Sequence, residues 1–204
     1  MSNDSNYERL WKLQATANKL VLDGRRDPLL LCNLFQKFVE EGDSKTTSYL
    51  KLISDGHVLS LPATNGKRTI AQAGDVFTGG IDSNFRRWKL DVPSAPTAPM
   101  SVQVWEHTTN NGNFADIFAS TGKPNDALCI PQSQIVFFAA TYQEWLRTNG
   151  YRTFFMFKKG EEFFVPSVSF GDARQLHADV DRLSDDDVLP VVYRYRFVIP
   201  QLEV

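Results

Sequence analysis

Between residues 151 and 199 four strand-like segments follow one another: YRTFFMFKK, EFFVPSVSF, RQLHADVDRL and VVYRYRFVI. Each is rich in aromatic and β-branched residues and is bounded by Gly, Asp or Pro, the pattern of strands separated by turns. Strands so close in sequence are expected to pair with their neighbours, giving an antiparallel sheet. The doublets Phe154-Phe155 and Phe163-Phe164 place aromatics on both faces of the first hairpin, so both faces need cover. A helix read at 131–147, with Ile135, Phe138, Ala139, Tyr142 and Leu146 on one side, supplies one cover. The N-terminal half, or a partner, is expected to supply the other. Pro166 lacks a ladder donor, which points to an edge strand or a bulge and to a rim open to a partner.

The first ninety residues follow a different rhythm. Ser5 and Glu8 form a capping box, and Leu10, Leu13, Ala17 and Leu20 recur at helical spacing until Asp23-Gly24. Asp27-Pro28 opens a second helix with a stripe of Leu30, Leu31, Leu34, Phe35, Phe38 and Val39. A third short helix is read at 44–53, then a strand at 57–61, a turn at Thr64-Asn65-Gly66 and a weak helix at 69–77. Prolines at 93, 96 and 99 space the segment DVPSAPTAP like a polyproline helix, so 91–99 reads as a linker. A strand at 101–108 and a short helix at 114–119 come next. The fold class is therefore α+β: a helical N-terminal part with a small β element (1–90), the linker (91–99), and an antiparallel sheet packed by one long helix (100–204). The parts on either side of the linker stand apart or form one compact unit.

Composition removes several function classes. With 42% hydrophobic and 23% charged residues, the 204-residue chain has the make-up of a soluble globular protein. Its formal net charge of -2 provides no broad positive field for phosphates, so nucleic acid is not an expected partner outside a local basic patch. No run approaches the roughly 18 apolar residues of a membrane span. The start, MSNDSNYERLWKL, lacks the apolar core of a secretion signal, and a cytoplasmic protein is expected. Cys32 and Cys129 lack the paired spacing of a zinc site and read as buried thiols. Phosphate-binding Gly-rich loops, GxSxG and HExxH are missing, so no cofactor is expected and the balance tilts away from an enzyme.

Chemistry concentrates on one strand. Alternation over 176–183 puts His177, Asp179 and Asp181 on one face, a row that could hold a cation or pair a base with an orienting acid. The next strand offers Arg194 and Arg196 on one face and Tyr193, Tyr195 and Phe197 on the other. Paired antiparallel, Asp179 and Asp181 would face Arg194 and Arg196 as a structural ladder; left free, the arginines would bind a carboxylate or phosphate. Asp185, Asp186 and Asp187 read as a solvated turn. Arg86, Arg87 and Trp88 mix charge with an aromatic as single-strand binders do, against a plain reading in which Phe85 and Trp88 pack inward. His57 and His107 read as surface or hydrogen-bonded imidazoles.

Taken with DGRRDP at 23–28, the runs WLRTNGYRTFFMFKKGEEFFV at 145–165 and YRYRFVIPQL at 193–202 give the chain a likeness over most of its length. It resembles a family of bacterial hypothetical proteins of similar length. The resemblance implies a bacterial origin and carries over no functional residue. The function expected from the residues is a non-enzymatic binding protein acting through the C-terminal sheet, with a protein partner or a second copy on its aromatic strands. The alternatives are a metal-assisted hydrolase using His177, Asp179 and Asp181, and an RNA-binding module using Arg86, Arg87 and Trp88.

Overall fold

The run EFFVPSVSF, buried without a break from Phe164 to Val168 as in a strand covered on both faces, forms β7 (Glu162–Phe170), which pairs antiparallel with β8 (Leu176–Arg182) over seven residue pairs, from Phe164↔Arg182 to Phe170↔Leu176. The computed structural model describes residues 48–201 together with Lys19 and Asp23. Residues 48–201 belong to the second of two compact units, 1–46 and 47–204. The helices expected over 5–23 and 27–39, and Cys32, lie outside the described residues. Within that stretch Lys19 is helical, and Asp23 donates its N–H to the Lys19 carbonyl at 2.9 Å.

The sheet is completed by β1 (Leu50–Leu52), β2 (Leu59–Leu61), β3 (Gly80–Ile81), β4 (Met100–His107), β5 (Arg152–Phe154), β6 (Phe157–Lys159) and β9 (Arg196–Pro200). Its order is β1-β4-β9-β5-β7-β8-β3, with β2 also on β4 and β6 also on β7. The class is α+β, but the sheet is mixed rather than antiparallel: β5 runs parallel to β9 and β3 parallel to β8. Residues 50–52, read as part of a helix, are strand β1 on the edge of β4.

Pro166 sits in the middle of the sheet, between β5 and β8, and not at a rim. The register explains how. Phe154 faces Ser167 and Phe157 faces Phe164, so β5 and β6 are one strand in one register, interrupted at Phe155 and Met156. Phe155 donates to the Pro166 carbonyl at 2.9 Å, and the return bond is the one proline cannot make. The Met156 carbonyl turns away to accept from Ile130 at 2.7 Å. A missing donor has broken the partner strand instead of exiling the proline.

Both faces are covered from within residues 48–201, so the doublets Phe154-Phe155 and Phe163-Phe164 leave no open aromatic face on the described strands. On one face Val102, Val104, Val168, Ala178, Val180 and Val198 pack against residues 70–90 and helix α4 (Gln132–Thr141). Residues 70–90 include a 3-10 turn (Ile70–Gln72) and helix α1 (Asn84–Arg87). On the other face Leu50, Phe154, Val165, Phe197 and Ile199 pack against α2 (Phe114–Ala119), α3 (Asn125–Leu128), Leu183 and Leu189. Asn113 caps α2 through its side chain, accepting from Asp116 N–H at 2.8 Å.

Segment 91–99 runs across the outside of α4. Buried Gln134 donates to the Pro62 and Ala98 carbonyls at 2.9 Å each, and Thr64 and Thr97 exchange backbone bonds of 3.1 and 2.8 Å. Helix α4 stops at Thr141, short of the expected 147, where Tyr142 leaves helical geometry (φ -112°, ψ 45°); a 3-10 turn (Gln143–Trp145) follows, and the Arg196 guanidinium donates to the Glu144 and Leu146 carbonyls at 3.3 and 3.0 Å. Leu146 remains buried in extended backbone.

One polar side chain is fully enclosed at the end of β4. His107 is 0% exposed, Nε2 meets the Asn110 carbonyl at 2.7 Å, and Nδ1 has no partner among the described residues. Burial holds its imidazole below the ordinary histidine value, with the Asn110 bond pulling the other way. The unfolded chain therefore takes up the proton first as pH falls, so stability is complete above about pH 6.5 and declines below it. Denaturation midpoints between pH 7.5 and 5 should fall for the parent and fall less for His107→Gln, whose amide donates to Asn110 without titrating.

Candidate functional site

Two parallel joints decide which residues meet. Because β5 and β9 run together, Tyr151 and Tyr195, which enter them, lie at one end of the sheet, where β7 finishes and β8 and β3 begin. Arg152 faces Ser169, Ser169 faces His177, and His177 faces Gly80, a single row across four strands. The next row of the same face holds Phe197, Phe154, Ser167 and Asp179.

His177, Asp179 and Asp181 do share a face, as alternation predicted. Their cation is Arg152, and not Arg194 or Arg196, because β7 and β5 stand between β8 and β9. Arg152 lies 3.6 Å from Asp179 and 3.7 Å from Asp181, longer than direct hydrogen bonds. It reaches them across β7, a span of about 10 Å at normal strand spacing. Ser167 and Ser169 are short enough to leave that path open. Burial pushes the Asp181 carboxyl up, joined by Asp185, Asp179 and Asp187, and Arg152 opposes them. Among the described residues no group of three or more His, Cys, Asp or Glu side chains is placed to hold a metal ion, so the row provides no metal donor set.

His177 is set apart by what surrounds it. A side chain at Gly79 or at Gly171 would overlap the imidazole where it lies, so the ring packs closely against two glycine backbones and would have to shift if either gained a Cβ. Gly80, with φ of +138°, completes the turn into β3.

The arginines predicted as ligand-binding residues have structural partners. Arg194 is not in a strand: it holds a left-handed conformation (φ 50°) and meets Glu106 at 2.6 Å. Arg196 begins β9, holds the carbonyls that follow α4 as described, and keeps one buried Nε without a partner among the described residues. Burial pushes its guanidinium down, Arg147 adds to that and Glu106 opposes it. Around them lies a group the sequence reading missed. Tyr151 and Tyr193 stack at 5.1 Å, Tyr195 meets Tyr193 edge-on at 5.6 Å, and Arg147 lies over Tyr151 at 5.3 Å while donating to the Tyr193 carbonyl at 3.3 Å. The visible signal was the Tyr-Arg dipeptide at 151–152, 193–194 and 195–196. Val192, which precedes Tyr193, is 73% exposed.

Arg86 and Arg87 are exposed on α1 with Phe85 fully buried beneath them. Trp88 is not free to stack a base: Arg182 lies over its ring at 5.2 Å and Phe164 packs at 6.1 Å. His57 meets Trp145 edge-on at 5.0 Å. No helix among the described residues is long and apolar enough to cross a membrane. Family models, curated proteins and solved structures give no match to this chain.

Two substitutions test the geometry. Gly79→Ala should cost about 1–3 kcal/mol by overpacking, and His177→Ala in the same chain should recover much of that; additive losses in denaturant melts would show that the ring does not pack against Gly79. Arg152→Gln should cost about 0.5–1 kcal/mol at neutral pH, the scale of an exposed pair. That loss should shrink in acid, where Asp181 takes up its proton first, and melts at two pH values read the difference.

Proposed function

We propose that this protein is a binding protein whose protein partner docks at the end of the sheet where β5 and β9 begin. The observation that carries the reading is exposed Val192 directly before Tyr193, which stacks on Tyr151 beneath Arg147. Tyrosine and arginine supply most interface hot spots, since each offers a large contact with a polar end. Stacking, the Arg147 bond to Tyr193 and the Arg196 clamp fix these groups before any partner arrives, which reduces the ordering cost of association. The neighbouring Arg152, Asp179 and Asp181 give the same surface a polar margin of both signs, suited to discrimination between partners.

A photo-crosslinking amino acid at position 192, compared with the same group at Val58, which is 77% exposed, provides the test. Irradiation in cells should give a discrete adduct at 192 and none at 58, its mass distinguishing a second copy from another protein. Tyr193→Ala should cut the yield, a hot-spot truncation being worth about 2 kcal/mol. Equal labelling at 192 and 58 would remove the proposal.

A further inference from the structure

A cavity of about 280 Å³ lies between the turn at 66–69, residues 90–94, the start of α4 and β6. Its apolar part is Leu90, Ile130 and Phe157. Gly66 at its edge has φ of +70°, and any side chain there would overlap the Ser94 and Ala95 carbonyls.

The polar part is unevenly satisfied. Arg68 is held by both oxygens of Asp75, at 2.6 and 2.5 Å, and Lys158 by Asp126 at 2.9 Å. Lys159 differs. Its ammonium donates to the carbonyls of Trp88, at 3.1 Å, and Lys89, and among the described residues no carboxylate pairs with it. An ammonium has three protons, so one donor and a full positive charge remain. Thr69 belongs to the same wall, is 1% exposed, and its hydroxyl has no partner among the described residues. It precedes the 3-10 turn Ile70–Gln72 without capping it. The start of α4 is also in the wall, and Pro131 at its cap position leaves the first N–H groups without a side-chain acceptor. An ammonium, a buried hydroxyl and a helix start therefore share one small cavity with an apolar floor.

We propose that this cavity binds a small organic monocarboxylate, its apolar body against Leu90, Ile130 and Phe157 and its carboxylate received by Lys159, Thr69 and the start of α4. A single unpaired cation matches a single negative charge. The volume sits near the lower limit of small-molecule pockets, about 300 Å³. A dianionic phosphate would keep one charge unmatched by the one free ammonium, since the arginine that could add a fork is already occupied by Asp75. The site binds without covalent chemistry: burial pushes the neighbouring Cys129 thiol up to about 12, so no thiolate is present at neutral pH.

Titration calorimetry of the full chain with benzoate, phenylacetate and 3-methylbutyrate tests this, with benzamide and inorganic phosphate as comparisons. At least one carboxylate should bind saturably, and benzamide and phosphate about 10-fold more weakly or not at all. Lys159→Met should weaken the carboxylate about 10-fold. Because that change also removes two bonds to carbonyls, Thr69→Val serves as the second variant: it should melt no lower than the parent, since it removes an unpartnered hydroxyl, and still bind more weakly. Absence of binding by all three carboxylates, benzamide binding as tightly, or parent-like binding by a folded Thr69→Val would each overturn the proposal.

Discussion

The parallel contact between β5 and β9 holds the unit together. Only Thr153↔Arg196 and Phe154↔Phe197 are in register there, yet this joint connects β1, β2, β4 and β9 with β5, β6, β7, β8 and β3. Two residue pairs cannot carry such a joint on backbone bonds alone, each worth about 1 kcal/mol net. Side chains on both faces reinforce it. On one, Phe154 and Phe197 meet at 5.2 Å, with Phe114, Phe118 and Tyr195 packed around them at 5.1 to 5.3 Å. On the other, Thr153 accepts from Arg147 N–H at 2.7 Å and Arg196 secures the carbonyls after α4. Aromatic contacts of this kind add about 0.5–1.5 kcal/mol each.

The same joint gathers the tyrosines and arginines. Parallel strands start at one end of a sheet, so residues far apart in the chain, Tyr151 and Tyr195, become neighbours without either being placed by a turn. The acidic row on β8 then reaches this region through Arg152, whose side chain crosses β7 over two serines. A larger residue at Ser167 or Ser169 would close that path, and the charges would lose their partner although every strand kept its register.

Much of the local structure was legible because it depends on local chemistry. The nine residues of β7, the alternation of β8, the Asn113-capped α2 and the start of α4 at Pro131 all follow from periodicity, caps and breakers. Strand order was not legible, because no local pattern records that β5 lies between β9 and β7. The expected pairing of Asp179 and Asp181 with Arg194 and Arg196 failed on strand order, and on two further counts: Arg194 lies outside the strands, and Arg196 shares the opposite face of the sheet with Thr153. Pro166 misled in another way. Its missing donor was real, but the defect was absorbed by Phe155 and Met156 on the partner strand. Of the site, the charged residues were visible and the glycines around His177 were not, since their purpose depends on a ring that arrives from another strand.

The position of β9 has a consequence for the order of events during synthesis. It is the last described strand in sequence and a middle strand in space, lying between β4 and β5. Until residues 196–200 have left the ribosome, β4 and β5 each present an unpaired edge, and Phe154 of β5 lacks Phe197. Such edges invite pairing with other chains. A nascent chain of this protein thus passes through a period in which two half-sheets wait for a single five-residue strand.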